Sequence, residues 1–488
     1  MIINKEQIPY IDQNGEESKR LVVSYVARDG SIKFLDYPIP KSEMFNWHYA
    51  GRGANADPSW LSYDHKPVKK VPVEMINEYR MNELLCSFGA QADPIYEFNL
   101  PEMWFCDIET NVEDEFPEAD TALQPVNTIA LTKFPKTIVW GRKDLTEDEK
   151  KMIQHKISTH ENKKVQGYQF EFRFFPNEAD MLYDFFKFIA PIPCITGWNF
   201  LGYDWLYLYN RSVNKLGMDI NFVSPTNKFY NFSINNLKFG KKSVMLPYHK
   251  IVFDYLMVYQ KWDKSIKVKE NNTLDFVADK TLGYKKIQHQ LGFKDFYEQE
   301  YADYVFYNAV DTILVEQIHE KIRVANVWLA LTAELKTELM MSFSTIKPTE
   351  VVLTNFCYEE HKVVPVKKRE EGGKEDYEGA FVWPTQPGVY KMIGGLDFAS
   401  LYPTTIRQFN ISPETYKFTD RTGSYIPKPD EIKTSSGAVY DNSFKGLIPR
   451  VLTKYFNARK ESKMHKKLCA AEHEALKEIL ERRKAALS

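Results

Sequence analysis

The sequence predicts an α/β multidomain protein, on its length, on an alternation of strand-like and helix-like segments, and on its composition. At 488 residues the chain exceeds what one hydrophobic core serves, so two to four domains are expected. From about residue 101 to 325, short apolar runs alternate with segments of helical periodicity, the pattern of an α/β layer domain. Hydrophobic residues make up 43% and charged residues 27%, enough for buried cores beneath a water-facing surface.

Composition also excludes classes. No apolar run reaches the roughly 18 residues of a membrane span. The first 15 residues lack a basic stretch followed by an apolar one, so no secretory signal is expected. Five cysteines, Cys86, Cys106, Cys194, Cys357 and Cys469, fall far apart with no Cys-x-x-Cys pair, which fits reduced thiols in the cytoplasm. The formal net charge of −2 argues against an obligate polycation. It leaves nucleic-acid binding open, because phosphate contacts depend on local Lys/Arg stripes.

Taken in order, residues 21–26 form a β-like run within a first segment that carries no catalytic constellation. Residues 103–108 are a short apolar run ended by polar residues, hence a buried strand. Met181, Leu182, Phe185, Phe186 and Ile189 recur at helical spacing, with Asn177 placed to cap and Asp180 in the first turn. Residues 193–198 read as a strand turning at Gly197, and residues 237–246, around Phe239 to Lys242, as a hairpin. A single long helix is expected over 301–335, and a flexible charged connection over 367–373. Residues 395–399 read as a strand ending at Asp397, followed by helix from Ser400. The last segment, 455–488, reads as a charged helix, marginal in water without a tertiary partner.

Two residues apart on one strand, Asp107 and Glu109 project from the same face, while Ile108 points to the other, toward a core. Two adjacent like charges repel, and each is costly to desolvate. A divalent cation resolves both problems, and hard oxygen ligands suit Mg²⁺ or Mn²⁺. Tyr307 and Asp311, four residues apart, share a helix face. There a phenol can orient a water and Asp311 can close a coordination shell. Asp204 follows Gly197-Trp198-Asn199 at a turn. Each of these motifs alone is ordinary, since solvated acids at strand ends and turns are common. The ordered set, each member in the expected secondary structure, points to a metal-dependent nuclease.

This set, Asp107-Ile108-Glu109, then Trp198-Asn199 running to Tyr203-Asp204, then Tyr307-x-x-x-Asp311, resembles the three exonuclease motifs of proofreading family B DNA polymerases. Residues 274–286, with Leu282-Gly283 and Lys285-Lys286, resemble the segment that family places between its second and third motifs. The resemblance implies a ribonuclease-H-like fold and 3′→5′ removal of single nucleotides from single-stranded DNA ends with two Mg²⁺ or Mn²⁺ ions. Asp107, Glu109 and Asp311 would hold metal, with Asp204 completing the cluster. Tyr307 would position the attacking water, Asn199 would contact the 3′-terminal nucleotide, and the hairpin near Gly240 would help part primer from template.

Downstream, Asp397-Phe398-Ala399-Ser400-Leu401-Tyr402-Pro403, continued by Ile406-Arg407-Gln408 and residues 410–415, resembles the first catalytic motif of the same family, in its T-even-like bacteriophage form. By that resemblance Asp397 and the Phe398 carbonyl would ligate metal. Backbone N–H groups near Ser400 and Leu401 would receive dNTP triphosphate oxygens, and Tyr402 would lie under the sugar and exclude a ribose 2′-OH. Arg459 and Lys463 match the first basic helix of the fingers and could both reach triphosphate. Residues 377–381 stand where the family places a switch between nuclease and palm.

Departures from the family are equally legible. The second acidic motif, Tyr-Gly-Asp-Thr-Asp-Ser, is absent, as is the Lys-x-x-x-Asn-x-x-Tyr-Gly fingers motif. One carboxylate cannot assemble a two-metal transfer site. The expectation is therefore the N-terminal subunit of a split phage-type polymerase, acting on DNA primer-template in an infected bacterial cytoplasm. A second polypeptide would supply the remaining fingers, palm and thumb; contact with a sliding clamp through that partner stays open. The alternatives are a stand-alone 3′→5′ exonuclease with a polymerase remnant, a truncation of a longer protein, and a nucleic-acid-binding regulator with idle carboxylates. The expected layout is an exonuclease domain at 101–325 inserted in a mixed α+β N-terminal domain (1–100 and 326–376). A partial palm (377–449) and an incomplete helical fingers segment (450–488) follow.

Overall fold

The structure, a computed structural model, describes all residues except 13–14, 52–54, 114–115, 237–239, 264–270, 345, 367–381, 399 and 488. The connection expected at 367–373, the switch segment at 377–381 and Ala399 thus lie outside the described residues. By contacts the chain falls into two units, one of residues 1–39 with 90–348 and one of residues 40–89 with 349–488. The finer five-segment layout remains a proposal.

In the first unit, β1 (Ile2–Ile11), β2 (Glu17–Val26) and β3 (Ile32–Ile39) form an antiparallel sheet. A larger six-stranded sheet contains β4 (Met103–Thr110), β5 (Val126–Lys133), β6 (Lys136–Gly141), β7 (Gln169–Phe174), β8 (Cys194–Gly197) and β11 (Ile251–Asp254). Its order is β7-β6-β5-β4-β8-β11. The strands β4, β5 and β6 pair antiparallel, whereas β8 runs parallel to β4 and β11 parallel to β8. Between β8 and β11 in sequence, β9 (Phe229–Asn236) and β10 (Gly240–Pro247) pair as the expected hairpin. Gly240 and Lys241 already pair within β10, and residues 237–239 lie outside the described ones.

Period-two alternation divides β4 between two cores. Cys106 and Ile108 enter one core with Phe185, Phe186 and Trp205. That core takes α1 (Glu178–Ile189), whose five expected apolar residues are all buried, and α2 (Asp204–Tyr209). The Asn177 side chain caps α1 by accepting from the Ala179 N–H at 2.8 Å. Phe105 enters the other core with Tyr304, Val305 and Ala309 of α5 (Tyr301–Ile322). Before it come α3 (Tyr255–Trp262) and α4 (Leu274–Leu282). Buried residues surround α5 on nearly every side, as in a helix at the centre of a large domain. The single helix expected over 301–335 is two, because Arg323 adopts φ 49° and ends α5; α6 (Val324–Glu334) begins immediately after. The first sheet is tied in by a buried Lys5–Glu338 ion pair of 3.4 Å and by His249, whose Nδ1 lies 2.9 Å from Ser24 Oγ.

The second unit holds the antiparallel pair Phe45–Tyr49 and Val68–Pro72. Lys362–Val363 pairs parallel with Leu61–Ser62, so chain that follows residue 348 rejoins chain that precedes residue 90. Beyond come α7 (Lys347–Glu359), α8 (Leu401–Gln408), a three-stranded sheet within residues 416–441 and α9 (Leu447–Leu487). A buried knot fixes the start of α9. Asn410 Nδ2 donates to the carbonyls of Asp441 (2.6 Å) and Phe444 (2.8 Å), and its Oδ1 accepts from Gly446 N–H at 2.9 Å. Ser412 Oγ accepts from Ile448 N–H at 3.3 Å and Glu414 accepts from Leu447 N–H, satisfying helix-start donors that otherwise lack partners. Residues 395–398 do not form the expected strand. They are irregular and exposed, and no described strand pairs with them; an extended run needs a neighbour for its N–H and C=O groups.

Gly197 is required by packing rather than by φ. A Cβ there would stand 2.2 Å from the Cys106 carbonyl oxygen, because β8 crosses β4 at backbone contact. Gly197→Ala is therefore expected to destabilise by about 1–3 kcal/mol or more, read as a lower midpoint in urea unfolding. An unchanged midpoint would show that β8 can yield there.

Candidate functional site

Two elements converge at the end of the central strand: β4 carries Asp107 and Glu109, and α5 carries Tyr307, Asn308 and Asp311. One oxygen from each of Asp107, Glu109 and Asp311 lies within 4.8 Å of the others. The expected sharing of a face is realised, with Ile108 turned into the opposite core.

Around these acids stands a small polar shell. Lys286 Nζ pairs with Asp311 Oδ2 at 2.5 Å and sits 4.8 Å from the centroid of the Tyr307 ring. Asp311 Oδ1 is buried with no donor. Asn308 Nδ2 donates to Asp107 Oδ2 at 2.7 Å. The Tyr307 ring is held by His289, Phe293 and Phe296, at centroid distances of 5.6, 6.3 and 6.1 Å.

Asp204 stands at the first turn of α2 and is buried, but it is not one of the three clustered acids. Its Oδ1 accepts from Ile108 N–H at 3.1 Å. β8 pairs with β4 only up to Phe105, and the Asp204 carboxylate takes the place of a neighbouring strand beyond that point. The turn that delivers it is tight. Asn199 has φ 61°, and a Cβ on Gly202 would meet Asn199 Oδ1 at 2.3 Å. Asp254 holds the same turn by accepting from Leu201 N–H at 3.2 Å. Past β4, the exposed Phe116 ring lies 5.2 Å from that of Tyr203, whose hydroxyl meets Thr110 Oγ1 at 3.1 Å.

Burial of so many acids with one lysine has the expected electrostatic result. Burial, reinforced by Asp311, pushes Asp107 up to about 7, against Lys286 and Asn308. Burial and then Asp107 hold Glu109 well above the carboxylate range, and burial and then Asp107 do the same to Asp204. Asp311 is raised by burial, against the pull of Lys286. Burial would lower Lys286, yet Asp311, Tyr307 and Asp107 outweigh it and hold the ammonium above its usual range. The donor set of three hard carboxylate oxygens, together with the orphaned Asp311 Oδ1, fits a divalent cation of the Mg²⁺ or Mn²⁺ kind.

In the second unit, Asp397, Phe398, Leu401 and Tyr402 are exposed. Ser400, at φ 55°, precedes the first turn of α8, and its Oγ accepts from Arg459 Nη1 of α9 at 3.0 Å. Lys463 is exposed one turn farther along α9. Ser400 and Arg459, 59 residues apart in sequence, thus meet where the start of α8 faces the side of α9.

Two residues at the acidic cluster, and Phe116 beside Tyr203, escaped the sequence reading. Asn308 lies three residues before Asp311 and so on its helix face, a signal that could have found it. Lys286 stood in a recognised segment but carried no ligand-like spacing, and Phe116 had no motif at all.

Comparison with known proteins follows the same division. The family model for the exonuclease domain of DNA polymerase family B matches residues 59–277, and that for DNA polymerase family B matches residues 337–488. The DNA-directed DNA polymerase of Escherichia phage RB69 is 30% identical over 319 residues, covering 63% of this chain and 35% of the relative. That of Enterobacteria phage T4 is 32% identical over 323 residues, with the same shares. DNA polymerase 1 of Saccharolobus solfataricus is 25% identical over 438 residues, covering 80% and 43%. The match thus spans about a third of the length of the two phage relatives. No described helix is long and apolar enough to cross a membrane.

A raised Asp107 makes metal-free stability fall with pH. Its contribution is complete below its ordinary 3.8 and is lost as pH rises through about 7. Without metal, the melting temperature of wild type should therefore fall relative to Asp107→Asn between pH 4 and 7. Mn²⁺ at about 100 times its Kd should restore about 2.7 kcal/mol, a rise of several degrees. A flat difference between the two proteins across that pH range would contradict the burial argument.

Proposed function

The chain belongs to the family B DNA polymerases, and we propose that its carboxylate cluster is a proofreading 3′→5′ exodeoxyribonuclease centre. The observation that carries this is the meeting of Asp107, Glu109 and Asp311 within 4.8 Å, with Tyr307 and Lys286 beside them. The order of the larger sheet, with β4 central, supports a ribonuclease-H-like domain.

Asp107, Glu109 and Asp311 would hold two divalent ions, with Asp204 completing the set through the oxygen that Ile108 leaves free. Those ions, when bound, supply a polarised phosphate and an activated water. Tyr307 orients the water with its phenol, which stays protonated because burial raises it and Asp311 adds to the rise. Lys286 neutralises one of the acids and steadies Asp311. The exposed Phe116, backed by Tyr203, offers a stacking surface for a terminal base, a contact worth about 1–3 kcal/mol in single-strand binding. Asn199 would meet the terminal nucleotide, and the β9–β10 hairpin would help separate the strands.

For the polymerase reaction, Asp397 and the Phe398 carbonyl would contribute one side of a two-metal site. Ser400, Leu401, Tyr402, Arg459 and Lys463 would receive the dNTP. Leu401 and Tyr402 stand in the first turn of α8, where N–H groups are free to accept an anion. Arg459 is already directed at Ser400. The second carboxylate motif must come from a complementary C-terminal half that this sequence does not contain. Primer-template DNA and single-stranded 3′ ends are the proposed substrates, and the bacterial cytoplasm the proposed place of action.

The test is a gel assay of a 5′-labelled primer-template with a 3′ mismatch, in Mg²⁺, with and without dNTPs. Stepwise shortening unaffected by dNTPs is expected. Asp107→Ala with Glu109→Ala should abolish it, and Lys286→Met should slow it on the order of 10–100-fold. Addition of the complementary half should convert shortening to extension. Digestion that persists in the double variant would remove the cluster from the chemistry.

A further inference from the structure

The nuclease reading assigns no work to Asn308, yet its side chain is hydrogen-bonded to a clustered acid. Its side chain is fully buried. Nδ2 donates to Asp107 Oδ2 at 2.7 Å, while Oδ1 is buried and accepts nothing. The amide cannot be turned to relieve that oxygen, because a carboxylate oxygen facing Oδ1 would repel it and lose its donor.

A buried acceptor left without a donor is a cost to folding, which the amide bears at Oδ1 while Nδ2 serves Asp107. Packing alone therefore does not explain an asparagine here. What the amide does is local: it engages one oxygen of Asp107 and so fixes the plane of a carboxylate whose terminal torsion is otherwise broad. Asn308 also stands on the same face of α5 as Asp311, three residues on. The bond therefore fastens the strand's ligand to the helix that carries the other ligand.

We propose that Asn308 is a positioning residue of the metal centre, holding the Asp107 carboxylate at the orientation that binds a divalent cation. The inference rests on the nuclease reading, in which Asp107 is a metal ligand. Partners of this outer kind, when removed, lower metal affinity about 10–100-fold.

The experiment titrates the full 488-residue chain with Mn²⁺ alone, free ion being counted by its electron paramagnetic resonance signal, and follows thermal unfolding by circular dichroism. Wild type is expected to bind Mn²⁺ and Asp107→Ala with Glu109→Ala not to bind it. Asn308→Leu should stay folded and bind on the order of 10–100-fold more weakly, and Asn308→Ala, the smaller alternative, should show the same loss of affinity. A merely structural asparagine predicts the reverse: a lower melting temperature with Mn²⁺ affinity kept. Affinity within about twofold of wild type in a folded variant overturns the inference and leaves the nuclease reading standing. Unfolding of both variants also overturns it, by making the residue a fold determinant. Failure of wild type itself to bind Mn²⁺ overturns the nuclease reading, and the inference falls with it.

Discussion

Carboxylates in an apolar interior repel one another and resist ionisation, and the first unit is organised around that constraint. Asp107, Glu109 and Asp311 meet where the central strand of a mixed sheet crosses a buried helix. Cores on both faces of the sheet keep β4 and α5 from moving apart, so repulsion cannot be relieved by a shift of backbone. Relief comes from one lysine, one amide donor and, for the rest, from protons or metal. The same packing that makes the acids costly therefore sets three hard oxygen donors together, a set that fits a small, highly charged cation.

That constraint explains how the neighbouring turn is built. Gly197 allows β8 to approach β4 at backbone contact, and the chain then turns sharply through Asn199 so that Asp204 reaches back to the exposed edge of β4. Asp254 pins the turn from the opposite side. An acid expected to serve only the metal thus also completes the sheet. The proposed site and the end of the sheet share a hydrogen bond, which ties the position of Asp204 to the strand beneath it.

The second unit is organised differently. The chain leaving the end of α8 is joined to the start of α9 by the Asn410, Ser412 and Glu414 network. Arg407 adds a bond to Thr453 at 3.0 Å and lies over the Phe456 ring. This arrangement brings Arg459 to Ser400 while Asp397 remains in exposed, irregular chain. In the proposed polymerase reading this contact is the basic side of a nucleotide cradle, and Asp397 is the one carboxylate offered to it.

Much of the first unit was legible in sequence because its signals are local. Alternation along residues 103–109 placed two carboxylates on one face, and four-residue spacing placed Tyr307 over Asp311. Asn177 announced the start of α1. Where the reading failed, the deciding interaction was distant in sequence. Nothing local marked Arg323 as the end of α5, since a left-handed φ at an arginine is set by the packing of the helices on either side. Residues 395–398 carry a strand-like pattern, but a strand exists only where another pairs with it. The sequence alone determined which residue types stand at strand, turn and helix, and hence the chemistry offered. Only the tertiary structure decided that Lys286 and Asn308 join Asp311 and Asp107, and that Asp204 spends one oxygen on Ile108. Contacts spanning 25 to 201 residues are fixed by how the two cores pack, and no spacing along the chain encodes them.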